Sequence, residues 1–421
     1  MKSFRSKIAT PVIAAVIVVS GCADLKRNEW EPTSGSLLIG LLGQMTGSGG
    51  RTGRSTTDAA RLAAQEINEA GGVLGMKVEV IVKDTKQDAD FCIASAAYLV
   101  EHGVVGMIGA VASSMTKAAA LNVTIPNNMP LISPASTNPT LSTLNDNGTF
   151  FRTVVSDAFQ GTVLASRISG LGVKTIAAVY IDNDYGKGLF GEFKRHYEEV
   201  VGNKVLVALT YDAKKINGFS DVAGQLVAAG AQGIVMIGYQ VDTAALTVDL
   251  KLAGSKAGTQ YFGVDGNYDS VVLSNGDLSI LEGMSGTAPA TDPSDVSYRK
   301  FFDKFVAEVG DEPSSVTENV YDAMYLMALA MARGKAATSQ AILANLTAVS
   351  RNDQAAPAAD FVVGVGEIAA GFKELAAGRD VNYEGASGNV DFDANGDVVG
   401  NIIWWKVVKG ADGKLKFETQ K

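Results

Sequence analysis

The chain has 421 residues, 47% hydrophobic and 19% charged, a composition of folded globular domains and a length that allows two of them. A formal net charge of −9 argues against a nucleic-acid surface, since such domains are usually basic, and by itself it names no partner.

Residues 1–22 read as an export signal. Lys2, Arg5 and Lys7 precede Ile8–Val19, an apolar run too short to span a bilayer. Val19-Ser20-Gly21-Cys22 then places small residues directly before a cysteine, as in a bacterial lipobox, and makes Cys22 the expected lipidation site. Residues 23–36 read as a polar tether, with Pro32, Thr33, Ser34 and Gly35 offering no periodicity. Cys92 is the other cysteine; it falls in a helical pattern and reads as a small buried apolar residue.

After the tether, strand-like runs appear at Leu37–Leu42, Val78–Val82, Val104–Ile108 and Leu131–Ser133, with helical patterns such as Thr57–Ala70 and Ala89–Val100 between them. Short apolar strands alternating with amphipathic helices imply βα units and a parallel sheet. Phe150–Val154 reads as an extended crossing segment. A second series follows, with strands at Thr175–Tyr180, Val205–Leu209, Ile234–Ile237 and Tyr261–Gly263. Its helices fit Gln160–Gly170, Gly188–Val200, Phe219–Ala229 and Thr243–Ala253. Glu282–Pro289 is another extended run, and helical patterns return at Val296–Val309 and Thr317–Arg333. The pattern weakens from Arg351 to Gly388, apart from a helix near Glu367–Ala377. Asn389–Phe392 and Ile402–Val408 read as a terminal strand pair around an Asn-Gly turn.

Several motifs fall short of a site. Gly43, Gly47, Gly49, Gly50 and Gly53 lie between a strand and a helix, but no three have the G-x-G-x-x-G spacing, and the lysine of a P-loop is missing. The segment is therefore a mobile turn or a ligand-facing loop rather than a phosphate cradle. Asp391, Asp393, Asn395 and Gly396 begin like a calcium loop, yet Ile402 stands where a bidentate glutamate is needed, so a hairpin turn is expected. His102 and His196 sit in separate helical patterns away from metal-like spacing, and no G-x-S-x-G elbow is present. No catalytic set, metal or cofactor is expected.

What remains is a series of polar residues at strand ends. Ser113, Ser114 and Thr116 follow one strand, Ser133–Pro139 the next, and Asp182–Gly186, Tyr239 and Asp265 follow strands of the second series. Open parallel sheets bind ligands outside the carboxyl ends of their strands. If the two sheets face one another, these groups share a cleft. Hydroxyls and helix N-terminal N–H groups suit a carboxylate, and an aspartate suits an ammonium, so the cleft suits a zwitterion. Taken singly, each of these residues also reads as a helix cap or loop residue.

In order along the chain, IGLLGQMTG, AAQEINEAGGVLGMKVEV, VGMIGAVASS, PLISPASTNPTL, FFRTVVSDAFQG, DNDYGKGL and FDANGDV resemble the type I periplasmic solute-binding proteins of branched-chain amino-acid ABC transporters. The likeness runs from about Leu37 to Trp405. It implies an α/β fold of two Rossmann-like lobes joined by three crossover segments. Lobe 1 would comprise 37–155 and 288–400, and lobe 2 would comprise 156–287 and 401–421. It implies that Ser113, with Ser114 beside it, and Thr137, with the Ser136 backbone, hold a ligand carboxylate. Tyr185 and Tyr239 would line the site, and Asp265 would pair the ammonium. Arg51 in the glycine segment is either a pocket cation that favours a polar distal group or a solvated loop residue. Glu318 is a loosely aligned pocket residue. Some members of the family carry a disulfide here, but Ala112 stands at one of its sites, so no bridge is expected. The implied function is that of an extracytoplasmic, lipid-anchored receptor, not an enzyme. It would capture an amino acid or related small polar solute by hinge closure and deliver it to ABC permease subunits. It would be monomeric, without cofactor or nucleic acid, at the periplasm or cell surface. A ligand sensor of the same fold that signals to a membrane partner is the alternative.

Overall fold

The computed structural model describes residues 33–289, 291–350 and 361–420. The expected signal sequence, Cys22 and residues 23–32 of the tether lie outside them. Among the described residues, no helix is long and apolar enough to cross a membrane.

The first parallel sheet contains β1 (Leu37–Gly43), β2 (Val78–Asp84), β3 (Gly106–Gly109), β4 (Leu131–Ser133) and β5 (Phe150–Arg152), in the order β2-β1-β3-β4-β5. The interior strand β1 is buried along nearly its whole length because helices cover both faces, whereas the edge strand β2 is only partly buried. One face packs on the helices Gly50–Glu69 and Thr317–Gly334. Every residue from Thr317 to Met331 is buried, so this second helix runs inside the layer and its apolar residues need no solvent face. The other face packs on Ala89–Glu101, where Cys92 is wholly buried and burial pushes its thiol up to about 12.

The second sheet begins with β6 (Thr175–Asp182), β7 (Lys204–Asp212), β8 (Gly233–Ile237), β9 (Gln260–Gly263) and β10 (Ser285–Pro289). These parallel strands run β7-β6-β8-β9-β10, the same local order as in the first sheet. A small third sheet, β11 (Phe361–Val363), β12 (Val381–Gly385) and β13 (Gly388–Asn389), occupies part of the stretch whose sequence pattern is weak. The chain then returns to the second sheet as β14 (Ile402–Lys409) and β15 (Leu415–Gln420), both antiparallel additions at its edge.

Three departures from expectation have local causes. The first helix starts at Gly50, after a 3-10 turn at Gly47–Gly49, rather than at Thr57. A Cβ on Gly53 would lie 2.2 Å from the Gln44 carbonyl oxygen, so glycine lets the helix's first turn press on the chain leaving β1. Phe150–Arg152 is a paired fifth strand, and the crossing begins only after it. Finally, Phe392 bridges Val398 around the Asn395-Gly396 turn, but Ile402–Lys409 pairs in the other sheet. Trp404, Trp405 and Val407 of that strand are buried there, and Trp405 is completely covered. The chain passes between the two sheets after β5, after β10 and again before β14.

Candidate functional site

In each large sheet the strand order reverses beside the first strand of its series, between β1 and β3 and between β6 and β8. The carboxyl ends of strands at such a point leave a crevice. Here the two crevices meet in one cavity of about 100 Å³. Gln44 follows β1 and Val111–Ser113 follow β3 on one side; Tyr185, Tyr239 and Asp265 follow β6, β8 and β9 on the other.

On the first side, Ser113 opens the helix Ser113–Ala119, whose N-cap Ala112 has no side-chain oxygen to offer. The donors of that first turn are left without a capping side chain, beside the cavity wall formed by Ala112 and Ser113. The neighbouring loop is stitched down by hydroxyls. Ser133 Oγ donates to the Ala110 carbonyl, and Ser136 Oγ shares a 2.7 Å bond with Thr116 Oγ1. Arg152, fully buried, reaches the Ser136 and Asn138 carbonyls at 3.2 and 3.1 Å.

On the second side, the Tyr185 and Tyr239 rings stack 5.4 Å apart and 12° from parallel. Asp265 Oδ1 accepts from Tyr185 Oη at 2.7 Å and from Gln160 Nε2 at 2.9 Å, which leaves Oδ2 uncommitted to either donor. Burial raises the Asp265 pKa against these hydrogen bonds. Asp157, fully buried, accepts from Thr137 Oγ1 at 2.8 Å through Oδ2, and its Oδ1 has no partner among the described residues. Burial first, and then the charge of Asp265, hold the Asp157 carboxyl well above its ordinary range. Asp265, in the cavity wall, is thus a carboxyl whose charge is costly to bury, and a cationic group beside it offsets that cost.

The two sides touch at the rim. Lys117 Nζ lies 3.6 Å from Asp184 Oδ2, and the Asn138 side-chain amide donates to the Asp184 carbonyl. A Cβ on Gly188 would sit 2.5 Å from Asn138 Nδ2 and 2.9 Å from Pro139 Cδ, so the rim closes to contact only over glycine.

Of the residues expected from sequence, Ser113, Tyr185, Tyr239 and Asp265 line this cavity. Ser114 is half-buried beside it but forms no part of its wall. The Ser136 and Thr137 hydroxyls are spent inside the protein, on Thr116 and Asp157. Arg51 lies outside the cavity wall, its guanidinium 3.5 Å from the Glu312 carbonyl, while its neighbours Gly49 and Thr52 line the cavity from the start of the first helix. Glu318 lines a different cavity. The Asp391–Asp397 turn is not arranged as a metal site: Asp393 Oδ1 accepts from the Asn395 and Asp397 backbones, and Asp397 pairs with Arg152. Gln44, Thr52, Gln240, Tyr268 and Val316 also line the main cavity and were not anticipated. Gln44 and Thr52 lie within the glycine segment, whose reading as a ligand-facing loop was their signal, and Gln240 directly follows Tyr239 at a strand end. Val316 has φ 63° at the wall, a strained setting for a β-branched residue and one that collects at functional sites.

Comparison with known proteins places this geometry in context. The periplasmic binding protein family pattern matches residues 36–398. The leucine-, isoleucine-, valine-, threonine- and alanine-binding protein of Pseudomonas aeruginosa is 30% identical over 295 residues, 70% of this chain and 77% of that protein. The branched-chain amino acid transporter substrate-binding protein LivJ of Streptococcus pneumoniae, solved in complex with isoleucine, superposes with a TM-score of 0.74 at 23% identity, covering 92% of this chain and 99% of that one. A solute-binding protein of an ABC transporter from Rhodopseudomonas palustris, solved with 3,4-dihydroxybenzoic acid, gives a TM-score of 0.73 at 19% identity over 91% and 96% of the two chains. Both structures share the fold.

Proposed function

The chain belongs to the periplasmic binding protein family, with the Leu/Ile/Val-binding proteins of ABC importers among its relatives, and from that premise we propose that it captures an aliphatic α-amino acid between its two lobes. It is a binding protein and not an enzyme. The observation that carries the reading is the polarity of the cavity. Uncapped helix donors and Ser113 stand on one side, and Asp265 and Asp269 line the other; Asp265 forms an acidic pair with Asp157, which is fully buried outside the cavity wall. A carboxylate is attracted to the first and an ammonium to the second. Val111, Ala135 and the two tyrosine rings leave an apolar part for the side chain. An aromatic acid without an amine, such as the ligand of the Rhodopseudomonas protein, would bring no cation to the acidic pair.

In this proposal Ser113, Tyr185, Tyr239 and Asp265 touch the solute, and Thr137 positions Asp157. Lobe 1 is 37–155 with 288–400, and lobe 2 is 156–287 with 401–421; the three passages between them act as pivots, and closure presents the loaded receptor to a permease. Thermal-shift screening tests the solute class. A ligand at a hundred times its Kd stabilises by about 2.7 kcal/mol, enough to raise the Tm by several degrees. Leucine, isoleucine and valine are expected to do so, and 3,4-dihydroxybenzoate is not. A response to the aromatic acid alone would overturn the amino-acid reading and leave family membership untouched.

Closure also predicts the behaviour of Gly188→Ala. Alanine in a helix is favoured over glycine by up to about 1 kcal/mol, so the unliganded protein keeps its Tm. The added methyl meets Asn138 and Pro139 across the rim. That overlap costs roughly 1–3 kcal/mol in the closed form, or about a 5- to 150-fold loss of affinity. Affinity within twofold of wild type would show that the rim contact is not part of binding.

We further propose that Cys22 carries a lipid that holds the receptor at a membrane. Labelled palmitate is expected on the wild-type chain and not on Cys22→Ala, and an unlabelled wild-type chain rules the anchor out.

A further inference from the structure

A second cavity, of about 200 Å³, lies among the three passages between the sheets. Val154 and Val155 come from the first passage, Pro289 and Thr291 from the second, and Gly400 and Asn401 from the third. It shares no wall residue with the cavity at the strand ends. Among the described residues, three acids line it and no Lys, Arg or His does.

Two of the three acids have structural work. Asp292 Oδ1 accepts from the Ser294 backbone N–H and hydroxyl at 2.8 and 2.7 Å. Asp295 Oδ1 caps the helix Val296–Val309 through Ser297 N and Tyr298 N. Glu318 has no partner side chain among the described residues: it is 8% exposed, no ion pair reaches it, and its carboxyl accepts only from its own backbone N–H. Burial, with Asp322 one turn along the helix, pushes its carboxyl up to about 7. An ionisable side chain of this kind is costly to bury without a partner, and a cation in the cavity supplies one.

We propose that this cavity is a second ligand site, for a small organic cation that donates N–H groups to Glu318. An inorganic ion fits less well, because among the described residues no group of three or more acid, His or Cys side chains is placed to hold a metal. Neutral acceptors are present instead, on Asn319, Asn389 and Asn401. An amidinium or guanidinium head uses both kinds of partner at once. Because every passage contributes wall, an occupant here and lobe closure bias one another; that coupling, unlike the site itself, rests on the hinge reading above.

Calorimetric titration of the purified protein with methylguanidinium, without any amino acid present, tests the site. The expected result is one saturable site, with the neutral isostere N-methylurea bound at least about tenfold more weakly. Glu318→Gln should weaken methylguanidinium by about tenfold or more while unfolding at no lower temperature than wild type, since it removes a buried acid that lacks a partner. Asp265→Asn should bind it within about twofold of wild type, because that residue lies in the other cavity. No saturable binding to wild type would overturn the proposal, as would unchanged binding to Glu318→Gln. A loss in Asp265→Asn instead would place the cation in the main cavity, and that also overturns it. None of these outcomes depends on which amino acid the main cavity takes.

Discussion

Asp265→Ala is expected to weaken L-leucine by about two to three decades, on the order of 3–4 kcal/mol. The carboxylate is fixed before any solute arrives, since Tyr185 and Gln160 both hold Oδ1. An ammonium that meets the remaining oxygen gains a charge-assisted hydrogen bond of roughly 1.5–3 kcal/mol. Removing the anion loses that bond and leaves a desolvated cation without its partner, which raises the cost. Alanine also leaves Tyr185 and Gln160 without their acceptor, so Asp265→Asn, which keeps an acceptor and removes the charge, is the companion variant; it should lose about one to two decades. The pH dependence runs in a defined direction. Burial raises the Asp265 carboxyl, and Asp157 is raised further by burial and by Asp265 itself. As pH falls through these raised values the pair takes up protons, and leucine affinity falls by up to about tenfold per pH unit. The unliganded fold moves the other way: stability from the raised carboxyls is full below the ordinary carboxylate range and is lost as pH rises through their folded values. Calorimetry between pH 5 and 8 on wild type and both variants reads this. Near wild-type affinity in Asp265→Ala, or a wild-type profile unchanged in Asp265→Asn, would remove Asp265 from the site.

Arg152→Leu is expected to carry the largest cost in stability. Its guanidinium is fully buried and meets Asp397 at 2.6 and 2.8 Å, Ser142 Oγ at 2.6 Å and the Ser136 and Asn138 carbonyls at 3.2 and 3.1 Å. One side chain therefore joins the end of β5, the loop after β4 and the Asp393–Asp397 turn. Leucine leaves Asp397 partly buried without its cation and two carbonyls without donors. Breaking a buried pair in this way costs about 3–5 kcal/mol, or roughly 4–6 °C in Tm for a chain of this length. Arg152→Leu combined with Asp397→Leu should be less destabilised than the sum of the two single variants, because the stranded charge is gone. Solute affinity should fall as well, since the same loop carries Thr137, the partner of Asp157. A Tm within about 2 °C of wild type for Arg152→Leu would show that the network does not support the loop.

Both residues illustrate what the sequence discloses. Asp265, Ser113, Tyr185 and Tyr239 were legible because each directly follows an apolar strand, and the carboxyl ends of parallel strands are where a crevice must form. Asp157 and Gln160 were not, since an aspartate and a glutamine in the first turn of a helix read as capping residues; only tertiary packing brings Gln160 to Asp265. Arg51 is outside the cavity wall because the first helix begins seven residues earlier than its apolar periodicity shows, at Gly50 rather than Thr57. The helix of Glu318 begins at Thr317 as expected, and only tertiary packing sends that residue to the second cavity. β14 was recognised as a strand, but its partner is decided by where Trp404 and Trp405 find a core, which no local pattern encodes. The third sheet was missed because β11, β12 and β13 are short and lie in a stretch without clear alternation.

In the proposed mode of binding, the cavity between the two sheets holds a zwitterion by both of its charges. Calorimetric titration with L-leucine, with 4-methylpentanoate, which lacks the amine, and with 3-methylbutylamine, which lacks the carboxylate, tests it most directly. One site is expected for leucine, with affinities at least about a hundredfold weaker for each truncated analogue, since each forfeits a charge-assisted set of hydrogen bonds. An amine-free acid that binds as tightly as leucine would contradict it.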